Sequence, residues 1–162
     1  MIKAGVITVS DKGSAGKRED QSGPEVARIL KTIGIEVARR AIIPDEIHQI
    51  RNTLVDFADN QKVDLIVTTG GTGVAPRDVT PEATLDVIDK AVPGMAEAMR
   101  RESYKNTPHA VISRAVVGIR GQTLIVNLPG SPRSVRENLV VILPALPHAI
   151  EKIKGDPREC AA

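Results

Sequence analysis

The chain has no tryptophan, a single phenylalanine (Phe57) and a single tyrosine (Tyr104). Its core must therefore be filled by Ile, Val, Leu and Ala, a composition that suits a parallel sheet buried on both faces. The same lack removes the aromatic platforms on which nucleic-acid binders stack bases. Charge of one sign is also missing: 22 Lys and Arg are interleaved with 20 Asp and Glu, leaving a net charge of +2. Without a clustered basic stripe, nucleic acid is not an expected partner. Cys160 is the only cysteine, which excludes an intrachain disulfide framework and a multi-cysteine metal site and fits a reducing compartment. Long hydrophobic runs are absent as well. The longest, LVVILPALP (139–147), is interrupted by Pro144 and Pro147 and falls short of the ~20 residues a membrane span needs. The N-terminal MIKAGVITVSDKG runs directly into a strand pattern with no signal-peptide signature. A cytoplasmic protein with no membrane contact is expected.

What remains is one domain's length of chain, able to bury about 70% of its unfolded surface. Three aliphatic, β-branched runs read as strands: 4–10, 63–69 and 123–128. A more alternating run at 35–43 reads as a strand nearer an edge, and 114–121 as a strand that turns back through Gly121-Gln122 into 123–128. Helices are expected at 23–33 (closed by Gly34), 46–60, 81–90, 94–104, from 132, and at 145–154, with Pro144 dividing the last two. This alternation predicts a three-layer α/β/α sandwich with a mostly parallel sheet and one antiparallel hairpin. A single domain over 1–155, with a tail at 156–162, is expected. The stretch 11–23 is long for a strand-to-helix connection, and reads as either a mobile segment or a lid.

Ligands of open α/β sheets bind beyond the carboxyl ends of the strands. The strand ends here lead into Ser10 and Asp11, then Pro44-Asp45-Glu46, then Gly70-Gly71-Thr72-Gly73, then Asn127-Leu128-Pro129-Gly130-Ser131. If the strands are parallel, these loops share one rim. GGTG offers free backbone N–H groups and close approach to a phosphate. It is neither a Walker loop nor a dinucleotide fingerprint, and a tight turn without function accounts for it equally well.

Asp78 sits in the mouth of that glycine turn, where a bare carboxylate would repel a phosphate. Thr80-Pro81 already offers a helix cap, so Asp78 is surplus to local structure. A divalent cation between carboxylate and phosphate resolves the conflict, because Mg²⁺ is held by one or two carboxylates together with substrate phosphates. Asp45 is a candidate second ligand, although its position before a helix also suits an N-cap. Ser113-Arg114 reads equally as structural or as an anion contact. His48, His109 and His148 lack metal spacing and are expected in solvent. Arg39-Arg40 and Arg100-Arg101 read as solvated faces or subunit contacts, and Lys17, Arg18, Glu19 and Asp20 as an exposed loop tip.

In order along the chain stand TVSD…DQSGP, IIPDE, TTGGTG with PRDVTPEAT, VISRA, GIRG and NLPGSP. This ordered set resembles the molybdopterin adenylyltransferase family, the MogA, MoaB and gephyrin-type domain, from the first strand to about Gly155. The resemblance implies Mg²⁺- and ATP-dependent adenylation of the terminal phosphate of molybdopterin, with pyrophosphate released. It implies Asp45 and Asp78 as the essential carboxylates and metal ligands. Ser113 would be the pterin-linked serine. Ser10, Asp11, Gly70, Gly71, Thr72, Gly73, Arg114, Asn127, Pro129, Gly130 and Ser131 would complete the substrate-binding set. A homotrimer and transient contact with a molybdenum insertase are also implied, and the alternative within the family is a non-catalytic, MoaB-like molybdopterin-binding module.

Overall fold

Side-chain alternation along the central strands sorts the interior into two cores. In a computed structural model that describes residues 1–160, Ala4 and Val6 of β1 (Lys3–Val9), Leu65 and Val67 of β3 (Leu65–Thr69), and Leu124, Val126 and Leu128 of β6 (Thr123–Leu128) face one side. Ile7, Val9, Ile66 and Ile125 face the other. The first core is closed by α2 (Ser22–Lys31), α5 (Pro93–Tyr104), α6 (Pro132–Ile142) and α7 (Leu146–Ile153). The second is closed by α3 (Ile47–Val55) and α4 (Thr80–Val87). The three-layer sandwich expected from the sequence is what forms.

The six strands lie in the order β2-β1-β3-β6-β5-β4, where β2 is Glu36–Ile43, β5 is Val117–Arg120 and β4 is Lys90–Ala91. β2, β1, β3 and β6 run parallel, so their carboxyl ends do share one rim. β2 takes the edge, as its alternating pattern suggested, and β5 folds back on β6 through Gly121. Phe57 supplies the one large ring in the second core. It lies so close to β1 that a Cβ on Gly5 would stand 2.4 Å from its Cδ2, and the β1/β2 register shifts between Ala4 and Gly5.

Three segments depart from the sequence expectation. Residues 11–23 are not irregular throughout: Ser10 Oγ accepts from Gly13 N–H at 2.9 Å and starts a short helix, α1 (Asp11–Ser14). The helix expected at 81–90 stops at Val87, because β5 captures the residues just beyond it. Asp89 N–H donates to Ile119 O and Val92 N–H to Val117 O, making the two-residue edge strand β4. The helix expected at 46–60 is present, but its last turn widens to π over Asp56–Asn60. Beyond 155, Arg158 pairs with Asp156 and Glu151 and holds the described part of the tail against α7; residues 161–162 lie outside the described residues. No helix among the described residues is long and apolar enough to cross a membrane.

Candidate functional site

β3 delivers the chain into the glycine turn at the centre of the rim. Gly70 and Gly71 adopt φ of +93° and +68°. A Cβ on Gly70 would lie 2.3 Å from Val9 O, and one on Gly71 would lie 2.3 Å from Thr80 Oγ1. Both positions need glycine for conformation and for space. Neighbouring elements pin the turn: Gly70 N–H donates to Leu128 O, Thr80 N–H to Gly71 O, and Thr80 Oγ1 to Gly70 O at 3.0 Å. Thr80 therefore ties α4 to the turn and does not cap the helix. The cap position belongs to Val79, with no side-chain bond.

Asp45 and Asp78 flank this turn from opposite sides. A Cβ on Gly71 would stand 3.2 Å from Asp45 Oδ1, and one on Gly73 would stand 2.8 Å from Asp78 Oδ2. Asp45 is not the cap of α3, since Glu46 holds that position. Its Oδ2 accepts from Asp11 N–H at 2.9 Å, and its own N–H donates to Asp11 Oδ1 at 3.0 Å. Burial, and then the charges of Asp11 and Asp78, raise the pKa of Asp45 above the ordinary carboxylate value. Asp78 Oδ2 accepts from Ala75 N–H at 3.0 Å, which closes the turn between them.

Asp11 is held differently. Arg77 donates to both of its carboxylate oxygens, at 2.9 and 3.0 Å, and reaches on to Glu46 at 2.9 Å. These bonds, with the one from the Asp45 backbone, lower the pKa of Asp11. One exposed arginine thus links the loops after β1, β2 and β3.

Arg114 and Asn127 act on the scaffold. Arg114 Nε donates to Gly73 O at 2.7 Å and Nη2 to Asp78 O at 2.9 Å, while Nη1 pairs with Glu82. Its N–H donates to Thr72 O at 2.8 Å. Of the two alternatives left open by spacing, the structural one is what this geometry supports. Asn127 is wholly buried, with its amide donating to Thr68 Oγ1 and Thr84 Oγ1 and accepting from Val116 N–H. It locks the ends of β3, β6 and α4 together from inside and does not line a cavity.

Two cavities meet at the turn, sharing Gly70 and Gly130. The larger, about 670 Å³, is bordered by Ser10, Asp45, Thr69, Ser131 and residues 18–22. The smaller, about 360 Å³, is bordered by the rest of the glycine turn, Asp78, Arg100, His109, Ser113 and Pro129. Ser131 caps α6 by accepting from Ser134 N–H, so a helix N-terminus opens beside the shared wall.

Several residues of the site take places that the sequence reading did not give them. Asp20, expected at an exposed tip, has only 8% of its side chain exposed, because Thr8 Oγ1 and Gly23 N–H both donate to it. Arg100 turns inward to Ala115 O at 2.9 Å and borders the smaller cavity, as does the exposed His109. Thr69 is 1% exposed, and its hydroxyl has no hydrogen-bond partner among the described residues. For Thr69 and Asp20 a signal does exist, since they lie within TTGGTG and DQSGP; Arg100 depends on the distant carbonyl of Ala115.

Among the described residues no group of three or more His, Cys, Asp or Glu could hold a metal ion. The rim is therefore not an all-protein metal cage. Two carboxylates beside a backbone cradle, one with its pKa raised by burial and by like charges, do fit Mg²⁺ arriving with phosphates, since that ion keeps waters and takes few protein ligands.

Residues 5–148 match the model of a family described as "Probable molybdopterin binding domain". A molybdopterin adenylyltransferase of Helicobacter pylori is 43% identical over 157 residues, covering 96% of this chain and 89% of that protein. A gephyrin of Dictyostelium discoideum is 44% identical over 95% of this chain, which spans only 23% of its length. The crystal structure of a protein titled molybdopterin biosynthesis enzyme MoaB, from Thermus thermophilus, superposes with a TM-score of 0.90 at 48% identity, covering 98% of this chain and 100% of that one. With fold, rim and sequence in agreement over nearly the whole length, the chain belongs to the molybdopterin-binding domain family that includes the molybdopterin adenylyltransferases.

Proposed function

We propose that the protein catalyses adenylyl transfer from Mg-ATP to the terminal phosphate of molybdopterin, a step of molybdenum cofactor biosynthesis. The observation that carries this reading is the placement of Asp45 and Asp78 on either side of one glycine turn, each bordering a different cavity. The larger cavity has room for ATP. The smaller, which contains Ser113, suits the pterin.

In the proposed step an oxygen of the molybdopterin phosphate attacks the α-phosphorus of ATP. A P–O bond forms there, the bond bridging the α- and β-phosphorus breaks, and pyrophosphate leaves with the electron pair. A phosphate monoester is largely ionised at neutral pH, so the chain need not supply a nucleophile. Its contribution is positioning and electrostatics. The Gly70–Gly71 backbone and the α6 N-terminus at Ser131 orient phosphate oxygens, and Thr80 and Arg114 keep the turn from shifting. Mg²⁺, held by Asp45 and Asp78, would neutralise the charge that gathers on the transferring and leaving oxygens.

Incubating purified protein with molybdopterin and Mg-ATP, then resolving the pterins by chromatography, tests the proposal. Adenylylated pterin and pyrophosphate in equal amounts are expected. Molybdopterin binding without product would replace the enzyme by a binding module.

We further propose a homotrimer in the cytoplasm that hands its product to a molybdenum insertase. Tyr104, Val111, Ile112 and Val140 are all exposed, and a subunit contact would cover such side chains. Sedimentation at micromolar concentration should give three times the chain mass, and a monomer would overturn the assembly.

A further inference from the structure

The larger cavity contains polar groups that phosphate binding does not use. Thr8 and Thr69 are register partners on β1 and β3, and neighbouring strands lie ~4.8 Å apart. Both point to the α2 side of the sheet, by alternation with Val6 and Val67. Thr8 Oγ1 donates to Asp20 Oδ2 at 2.8 Å, and Gly23 N–H donates to Asp20 Oδ1 at 3.0 Å. A strip of hydroxyl, hydroxyl and carboxylate therefore crosses the cavity wall. Thr69 Oγ1 is buried with no partner among the described residues, an arrangement disfavoured unless something else satisfies it. Asp20 Oδ1 accepts one hydrogen bond from the protein and retains a second acceptor site, while Oδ2, which accepts from Thr8, also faces Arg40 Nη2 at 3.9 Å.

Asp20, unlike Asp45 and Asp78, does not adjoin the glycine turn that would take the phosphates, and the strip offers no stacking surface for a base, because neither Phe57 nor Tyr104 borders the cavity. The part of a nucleotide that is uncharged and rich in donors is its sugar, and carboxylates accept ribose hydroxyls in other nucleotide sites. On the adenylyl-transfer reading, we infer that Asp20, with the Thr69 hydroxyl on the same cavity wall, reads the ribose hydroxyls of ATP and makes the protein selective for ribonucleotides over deoxyribonucleotides. Asp20 would accept from one sugar hydroxyl, and Thr69 would find its missing partner in the other.

Calorimetric titration of the full chain with Mg-ATP, Mg-2′-dATP and Mg-3′-dATP tests this directly. Each deoxynucleotide should bind about 10- to 100-fold more weakly than ATP, the usual effect of losing a hydrogen bond in a site built for it. Asp20→Asn should weaken ATP to near the level of a deoxynucleotide and remove most of the gap between them. Thr69→Val should weaken ATP while leaving the melting temperature of the free protein unchanged or higher, since no existing bond is lost; a purely structural threonine would show the opposite. Equal affinities for ATP and both deoxynucleotides in the wild type would overturn the inference, as would a full gap in Asp20→Asn or unchanged ATP affinity in Thr69→Val. Absence of ATP binding in the wild type, with molybdopterin still bound, would overturn the adenylyl-transfer reading and this inference with it.

Discussion

The larger cavity is bordered by Asp20, Glu19 and Asp45 against a single arginine, Arg18, and is walled by threonine and serine hydroxyls. The smaller is bordered by Arg100 and His109 against Asp78 and Glu137, together with Ala110 and Ile112. The acidic one is held by carboxylates that accept from backbone and hydroxyl groups, as at Asp45 and Asp20. The other is held by arginines that donate to backbone carbonyls, as at Arg114 and Arg100. One rim thus holds an acidic, hydroxyl-walled compartment on one side of the glycine turn and, on the other, one where Arg100 and His109 stand with Asp78 and Glu137 beside apolar side chains. Asp45 borders the first compartment and Asp78 the second.

The contrast breaks most severely at the carboxylates. Asp45→Asn and Asp78→Asn should each lower turnover about 10²- to 10³-fold while molybdopterin still binds, as measured by product formation alongside equilibrium dialysis. Unchanged rates in both would remove them from the reaction. Gly71→Ala strikes the turn next to the partition. Its φ of +68° and the 2.3 Å approach to Thr80 Oγ1 should lower stability by about 1–3 kcal/mol and weaken both ligands together, by chemical denaturation and calorimetry. Arg114→Lys should separate the cavities. Lysine cannot reach Gly73 O, Asp78 O and Glu82 at once, so molybdopterin affinity should fall roughly tenfold, with a smaller loss of Mg-ATP affinity through Asp78.

The smallest effect is on stability and has a definite sign. Asp45 has its pKa raised on folding, so its charged form opposes the native state. The stability associated with its protonated form is complete below the unfolded value and is lost as pH rises through the folded one. Without nucleotide or Mg²⁺, Asp45→Asn should therefore melt at or slightly above wild type at pH 7–8, the difference vanishing toward pH 3.8. A melting temperature below wild type at pH 8 would contradict this account.

How much the sequence discloses depends on the range of the interactions involved. The strands, the edge position of β2 and the glycine turn are written in local periodicity and composition. Asp78 stands out because it shares a loop with GGTG, and the structure does place it beside the turn. Asn127 is legible as a loop residue but not as an internal lock, because its partners Thr68 and Thr84 are 59 and 43 residues away. Arg77 and Arg114 are obscure for the same reason: their acceptors lie on other loops, and a guanidinium spacing carries no signature for a carbonyl 41 residues distant. The early end of α4 is a tertiary effect too, as β5 overrides helix propensity at Asp89 with a backbone bond.

The glycine partition has one more consequence. Gly70 and Gly130 border both cavities, and a Cβ on Gly130 would come within 3.3 Å of Gly70 Cα, so only backbone separates the two compartments. Under the proposed reaction the adenylyl group and the pterin, which enter on separate molecules, end on one product anchored at both ends once pyrophosphate has left. A tether of that kind gives each end a high effective concentration at its own compartment, so the product should dissociate more slowly than either substrate. Release, rather than bond formation, then becomes the step on which a downstream acceptor can exert control.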